Sequence, residues 1–170
     1  KDTKLVNWDT KLETAISDLE VEQREVQSNI YYIKYKLLDE NNYITIATTR
    51  PETLLGDTAV AINPDDERYK RFIGKKIEVP IVQREVKIIS DSYVSIEQGS
   101  GALKVTPAHD FNDFEIGKRH KLDSINIFEK NGTLNNNTPS NYIGLDRFVA
   151  RKKIILELKE KNLLEKIENI

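Results

Sequence analysis

Residues Ile30–Thr49 read IYYIKYKLLDENNYITIATT. Two runs of aromatic and β-branched residues flank Asp39–Asn42, a cluster of turn formers, and that layout predicts a β-hairpin. Four more short runs of strand type follow: TAVAI from Thr58, KIEVPIV from Lys76, EVKIIS from Glu85 and ALKVT from Ala102. Gly, Pro, Asn and Asp break them at close intervals, so the spacing predicts a barrel-like or sandwiched sheet, not a doubly wound one. Two helices are expected, one over Asp110–His120 and one in LDRFVARKKIILELKEKN from Leu145. In the latter, Phe148, Ile155 and Leu158 fall at helical spacing and would pack on the sheet. NGTLNNNTPSN, Asn131–Asn141, reads as a loop, and there is no internal repeat. The expected class is α+β with β predominating: a compact barrel-like sheet of short strands with peripheral helices.

The 170 residues suffice for one domain with a core, since a chain of this length buries roughly 70% of its unfolded surface. Basic residues number 26 and acidic residues 28, a formal charge of −2, which excludes nucleic-acid binding by a broad basic field and leaves only local contact. Cysteine is absent, and with it disulfides, thiolate zinc sites and cysteine nucleophiles. No run of about 18 apolar residues occurs, and KDTKLVNWDTKLETA at the start has neither a signal nor a transit pattern. A cytoplasmic, monomeric chain with no membrane partner is expected. The first residue is Lys1 and methionine is lacking, so a piece of a longer polypeptide is expected. Residues 1–27 carry no sustained period and read as a connecting arm, with the domain at 28–170.

Two polar clusters hold the chemistry. In GSGALKVTPAHDFNDFE, Gly99–Glu115, a strand period of two sends Lys104 and Thr106 to one face and Leu103 and Val105 to the other, toward the core. Pro107 ends the ladder, and the following helix places Asp110 and Asp113 on one side and Phe111 and Phe114 on a second, where the aromatic pair would anchor it. Gly99 and Gly101 would allow a ligand near the backbone. Taken singly, Asp110 also suits a helix cap, Lys104 a solvated edge and His109 a plain loop. In ATTRPETLLGDTAVAINPDDERY, Ala47–Tyr69, Thr49 and Glu52 fit a capping box on a short turn ended by Gly56. The free N–H groups of such a turn, the threonine hydroxyls and Arg50 suit a carbonyl, ribose or phosphate edge. Neither cluster pairs a serine or cysteine nucleophile with a base, and His109 and Asp110 lack metal-ligand spacing.

Three segments in this order carry a resemblance: VNWDTKLETAISDLEVEQREV, TTRPETLLGDTAVAINPDDERYKRFIGK and GSGALKVTPAHDFNDFEIGKRH. Together they resemble the editing domain inserted in valyl-tRNA synthetase, over essentially the whole chain. The isoleucine family has Thr-Pro-Trp-Thr where this chain has TRPET. The leucine family shares Thr-Thr-Arg-Pro and Pro-Ala-His-Asp, but DLEVEQREV, LLGDTAVAINPDDERY and DFNDFEIGKRH favour valine. The resemblance implies hydrolysis of threonine wrongly esterified to tRNA(Val). It implies catalytic roles for Lys104, Thr106, Asp110 and Asp113, and substrate binding by Arg50 and Thr53, with Thr48, Thr49 and His109 beside them. Asp113 would hold the ammonium, Asp110 the threonine hydroxyl or the attacking water, and Arg50 and Lys104 the adenosine, its phosphate or the oxyanion. The partners implied are the 3′-terminal adenosine carrying threonine and the rest of the synthetase. No metal or cofactor is expected for the domain, whereas the parent ligase would use ATP and Mg²⁺. The chain contains neither His-Ile-Gly-His nor Lys-Met-Ser-Lys-Ser, so no aminoacylation is expected of it. A tRNA 3′-end binding module without hydrolysis and a leucyl-type editing domain stand as the alternatives.

Overall fold

A computed structural model describes residues 29–170; the arm expected at 1–27 lies outside them. The hairpin forms where the sequence places it, from β1 (Asn29–Leu37) and β2 (Tyr43–Thr48), antiparallel with Tyr31 opposite Thr48 and Lys36 opposite Tyr43. Alternation decides its buried face, because Ile33 sits opposite Ile46 and Tyr35 opposite Ile44, and all four are buried. β3 (Ala59–Ile62), β4 (Lys76–Val79), β5 (Arg84–Ser90) and β6 (Ala102–Val105) complete a path β2-β1-β4-β5-β3-β6. β3 and β5 run parallel and the other pairs on the path are antiparallel. The path ends close on itself, since β2 lies against β6, which gives the nearly closed barrel.

A seventh strand, β7 (Leu164–Asn169), pairs antiparallel with β1 through Asn29–Ile33. It carries only Leu164 and Ile167 as apolar residues and is mostly exposed, so no alternation marks it in the sequence. Pairing to the free edge of β1 is what makes it a strand.

The sheet has a core on each face. Val60, Ile62 and Ala102 point into the barrel with Ile33, Tyr35, Leu37, Ile44 and Ile46. Ala59, Ala61 and Val105 point outward to meet Val94 and Ile116, the latter on helix α1 (Phe111–His120). Both faces of β6 are therefore covered, which corrects the expectation that only Leu103 and Val105 face a core. Lys104 is 5% exposed and Thr106 1%.

The anchoring of α1 also departs from expectation. Its inward residues are Asp113, Ile116 and Gly117, while Phe111 is 65% exposed and Phe114 only half-buried. The face that carries Asp113 is continuous with Ile116 at i+3, so the carboxylate and the packing residue share one side and the aromatic pair turns outward. Helix α2 (Arg147–Glu160) buries Ala150, Ile154, Ile155 and Leu158, with Phe148 half-buried beside them. Asp146 caps it by accepting from the N–H groups of Phe148 and Val149.

Candidate functional site

The Ala47–Tyr69 segment leaves β2 and enters a 3₁₀ turn, Pro51–Gly56, every residue of which is buried. Pro51 suits the first position of the turn, where no N–H is needed. The capping box expected from Thr49 and Glu52 does not form: no side chain caps the turn at its start. Glu52 instead points away to α2, where Arg147 donates to its Oε2 from Nε at 2.9 Å and from Nη2 at 2.6 Å, and Arg151 donates to its Oε1 from Nε at 2.7 Å. Burial alone would push the Glu52 carboxyl up, but Arg147 and Arg151 overcome it and hold the group at about 2. This ionic clasp ties the turn to the helix, and so fixes the direction in which Arg50 and Thr53 leave the turn.

Thr48, Thr49, Arg50 and Thr53 line one side of a cavity of about 520 Å³. Lys104, Thr106, His109, Asp110 and Asp113 line the other. The nine residues singled out in the sequence are thus brought to one place, but their engagements differ. Asp110 caps α1, its Oδ1 accepting from the Asp113 N–H at 3.0 Å, while its Oδ2 pairs with Arg50 Nη2 at 3.1 Å. Its carboxylate is largely committed. Asp113 accepts from the Thr106 N–H through Oδ2 at 2.9 Å, leaving Oδ1 for a ligand. Burial, followed by the neighbouring charge of Asp110, pushes its carboxyl up to about 7 against the opposing pull of Lys104 and the Thr106 N–H.

His109 offers less. Its Nε2 accepts from the Ile127 N–H at 2.9 Å, its ring meets Phe128 edge-on with centroids 4.9 Å apart, and burial together with the charges of Arg147, Arg50 and Lys104 pushes it down to about 3. The imidazole is neutral, with its proton on Nδ1, and is not a base for the pocket. Thr48 accepts from the Arg50 N–H at 3.0 Å, which shapes the entry to the turn. Lys104 is buried on the cavity floor, where its ammonium donates to Thr53 Oγ1 at 2.7 Å, to Thr106 Oγ1 and to Asp57 Oδ1 at 2.8 Å. All three of its protons are used within the protein, so a direct contact of Lys104 with adenosine, phosphate or oxyanion would have to displace one of these bonds.

Gly99 and Gly101 both line the cavity with positive φ, +57° and +84°. At Gly101 an added Cβ would run into the Arg68 guanidinium, which is clasped to Asp66, so this glycine serves a protein contact as well as the wall of the cavity. Sequence reasoning missed Asp57, fully buried beneath the floor, although an aspartate between Gly56 and the apolar run AVAI was a visible signal. It also missed Tyr35, whose hydroxyl donates to Asp57 Oδ2 at 2.6 Å from inside the barrel. Among the described residues no group of three or more His, Asp or Glu side chains is arranged to hold a metal ion, and no helix is long and apolar enough to cross a membrane.

The family model of the leucyl-tRNA synthetase editing domain matches residues 70–150. Two solved structures share the fold. The leucyl-tRNA synthetase of Agrobacterium radiobacter K84, in ternary complex with tRNA and LeuAMS, superposes with a TM-score of 0.68 at 20% identity, over 95% of this chain and 24% of that one. The isolated domain described as GlLeuRS-CP1 gives 0.65 at 11% identity, over 84% of this chain and 99% of that one. The fold is that of the leucyl-tRNA synthetase editing domain, and together with the sequence relatives it places the chain among aminoacyl-tRNA synthetase editing domains. Similarity in sequence then separates the types: the valine–tRNA ligase of Pelagibacter ubique is 63% identical over the full 170 residues, and that of Coxiella burnetii 56% over 97% of the chain. The chain belongs to the valyl-tRNA synthetase family, as its editing domain. It spans about a fifth of the length of these relatives, 19% and 18% respectively.

Proposed function

We propose that this domain hydrolyses the ester of threonine wrongly attached to tRNA(Val), within a ligase that joins valine to that tRNA using ATP and Mg²⁺. One observation carries the reading: a single cavity of about 520 Å³ is lined by Asp113, which spends only Oδ2 on the Thr106 N–H, and by Thr53 and Thr106. Its volume lies in the range of small-ligand sites, roughly 300–1,000 Å³. An ammonium and a side-chain hydroxyl are the two polar groups a threonyl ester presents next to its carbonyl, and a carboxylate with nearby hydroxyls complements both. The need is chemical: a valine pocket rejects threonine only about 10²-fold, a value known for valyl-tRNA synthetases themselves.

The carbonyl of an aminoacyl ester is already activated, so water held about 3 Å from it needs orientation more than a strong base. Water oxygen bonds to the carbonyl carbon, the bond to the ribose oxygen breaks, and that oxygen takes a proton. Asp113 would fix the ammonium and thereby the carbonyl. Asp110, its carboxylate shared between the α1 cap and Arg50, would hold Arg50 at the edge of the cavity where the adenosine and its phosphate lie. The high identity to valine–tRNA ligases disfavours the leucyl-type alternative.

The test is deacylation of threonyl-tRNA(Val) by the chain. Hydrolysis is expected, and the variant Asp113→Ala should lower it roughly 10- to 100-fold by removing a charge-assisted bond. A folded chain that binds the acylated 3′ end and leaves the ester intact would establish the binding-module alternative instead.

A further inference from the structure

We infer that Asp57 is a positioning residue that fixes the hydrogen-bond polarity of the cavity floor, so that the floor can only accept a hydrogen bond from a ligand and selects a side chain bearing a hydroxyl donor. The inference rests on the hydrolase reading above and adds to it the way in which the hydroxyl is read.

The protons can be counted. An ammonium has three, and those of Lys104 go to Thr53 Oγ1, Thr106 Oγ1 and Asp57 Oδ1. The single hydroxyl proton of Thr53 goes to the Arg50 carbonyl at 2.9 Å. That of Thr106 goes to Asp57 Oδ1 at 2.6 Å, much closer than the Thr53 carbonyl at 3.5 Å. Nothing on the floor has a proton left to give. Each threonine oxygen has two lone pairs and spends one on Lys104, so one remains on each for a ligand. A threonine hydroxyl can donate to such an oxygen. A valine methyl of nearly the same size cannot, and it would strand buried lone pairs.

Asp57 makes this count come out as it does. It is fully buried and accepts from Lys104 and Thr106 at one oxygen and from Tyr35 at the other. Burial raises the Asp57 carboxyl above its ordinary range, but the Lys104 ammonium at 2.8 Å and the hydrogen bonds from Thr106 and Tyr35 favour the ionised form; as a carboxylate it only accepts, so Thr106 must turn its proton down toward Asp57 and away from the cavity. An amide in the same place would carry two N–H protons, donate to Thr106 Oγ1 and release the Thr106 proton upward; it would also leave the Lys104 ammonium without its counter-charge. Asp57 does not line the cavity, and any effect of it on a ligand must pass through Lys104 and Thr106.

The experiment compares three non-hydrolysable 3′-aminoacylamino-3′-deoxyadenosines by calorimetric titration of the chain: threonyl, valyl and 2-amino-3-fluorobutyryl. Fluorine in place of the hydroxyl keeps size and dipole and removes the donor. The threonyl compound should bind at least about 10-fold more tightly than either of the others. In Asp57→Asn the ratio of threonyl to valyl affinity should fall toward one. A ratio is the chosen readout because a loss of folded protein lowers both affinities alike and cancels. If Asp57→Asn does not fold, Tyr35→Phe, which removes the bond that holds Oδ2, is expected to lower the same ratio several-fold. A fluorinated compound that binds as tightly as the threonyl one, or a ratio unchanged in the folded Asp57 or Tyr35 variant, overturns the inference. Deacylation of threonyl-tRNA(Val) run in parallel keeps the two readings apart: selectivity without hydrolysis removes the hydrolase, and hydrolysis without selectivity removes the role of Asp57.

Discussion

Two aspartates three residues apart come out of the sequence as a like pair, and the fold makes them unlike. Asp110 is tied up as a cap and ion pair, whereas Asp113 is 7% exposed and has its carboxyl raised from 3.8 to about 7 by burial and by the charge of Asp110. Their spacing put both on one side of a helix; what spacing cannot show is which of them the second core would bury. A consequence for pH follows. If Asp113 holds the ammonium as proposed, only its ionised form does so, and kcat/KM for the threonyl ester should rise with pH along an acid limb centred at about 7. Asp110→Asn keeps a side chain able to cap and removes the charge, and should move that limb to lower pH. For stability the sign is opposite to that of an ordinary paired carboxylate: the native state keeps a proton that the unfolded chain has lost, so this contribution is full below 3.8 and declines as pH rises to about 7. A limb that stays put in Asp110→Asn would show that Asp110 does not act on Asp113 by charge.

Within the Pro51–Gly56 turn the sequence was legible as to shape and misleading as to partners. Thr49-x-x-Glu52 has the spacing of a capping box, but the two arginines able to claim Glu52 lie 95 and 99 residues away on α2, and no local pattern can announce so distant a pairing. The signal available was the composition of α2, where Arg147 and Arg151, one turn apart, share the inward face with Ala150 and Ile154. Because Glu52 is fully buried, Glu52→Ala would leave two guanidinium groups in the interior without their counter-charge, at a cost of about 3–5 kcal/mol. Urea denaturation should show this as a lower midpoint. The wild-type pair should also weaken in acid: with its carboxyl at about 2 against 4.5 unfolded, the stabilisation it gives is complete above 4.5 and lost as pH falls toward 2. An unfolding free energy within about 1 kcal/mol of the parent would mean that the clasp does not hold turn and helix together. Since Arg50 and Thr53 leave the same turn, weakening the clasp should also slow deacylation.

At the scale of the whole molecule, closely spaced short strands were enough to expect a barrel-like or sandwiched sheet, because brief apolar runs are buried together when a sheet curls on itself or packs on another layer, and the closing of the path is what the structure adds. β7 escaped detection because its place is decided by the open edge of β1 and not by its own side chains. The two-sided burial of β6 escaped for a similar reason: a period of two tells which residues share a face, but not that a helix will cover the second face. Charge adds a last expectation at this scale. With 26 basic and 28 acidic residues the surface as a whole does not attract a polyanion, and the basic group at the cavity itself that is open to a phosphate is Arg50, 28% exposed and already paired with Asp110. If the acylated 3′ end is held by the cavity, affinity should come mostly from the aminoacyl adenosine and little from counterion release. Each phosphate neutralised in a single strand contributes a slope of about −0.7 in log K against log salt, so with one or two such contacts titration of tRNA(Val) into the chain should give a slope no steeper than about −1.5. Binding should be weak for unacylated tRNA and stronger for a non-hydrolysable threonyl form at every salt concentration. A steep slope with no gain from the threonyl group would mean that the chain grips the tRNA backbone instead, with the cavity contributing nothing to affinity.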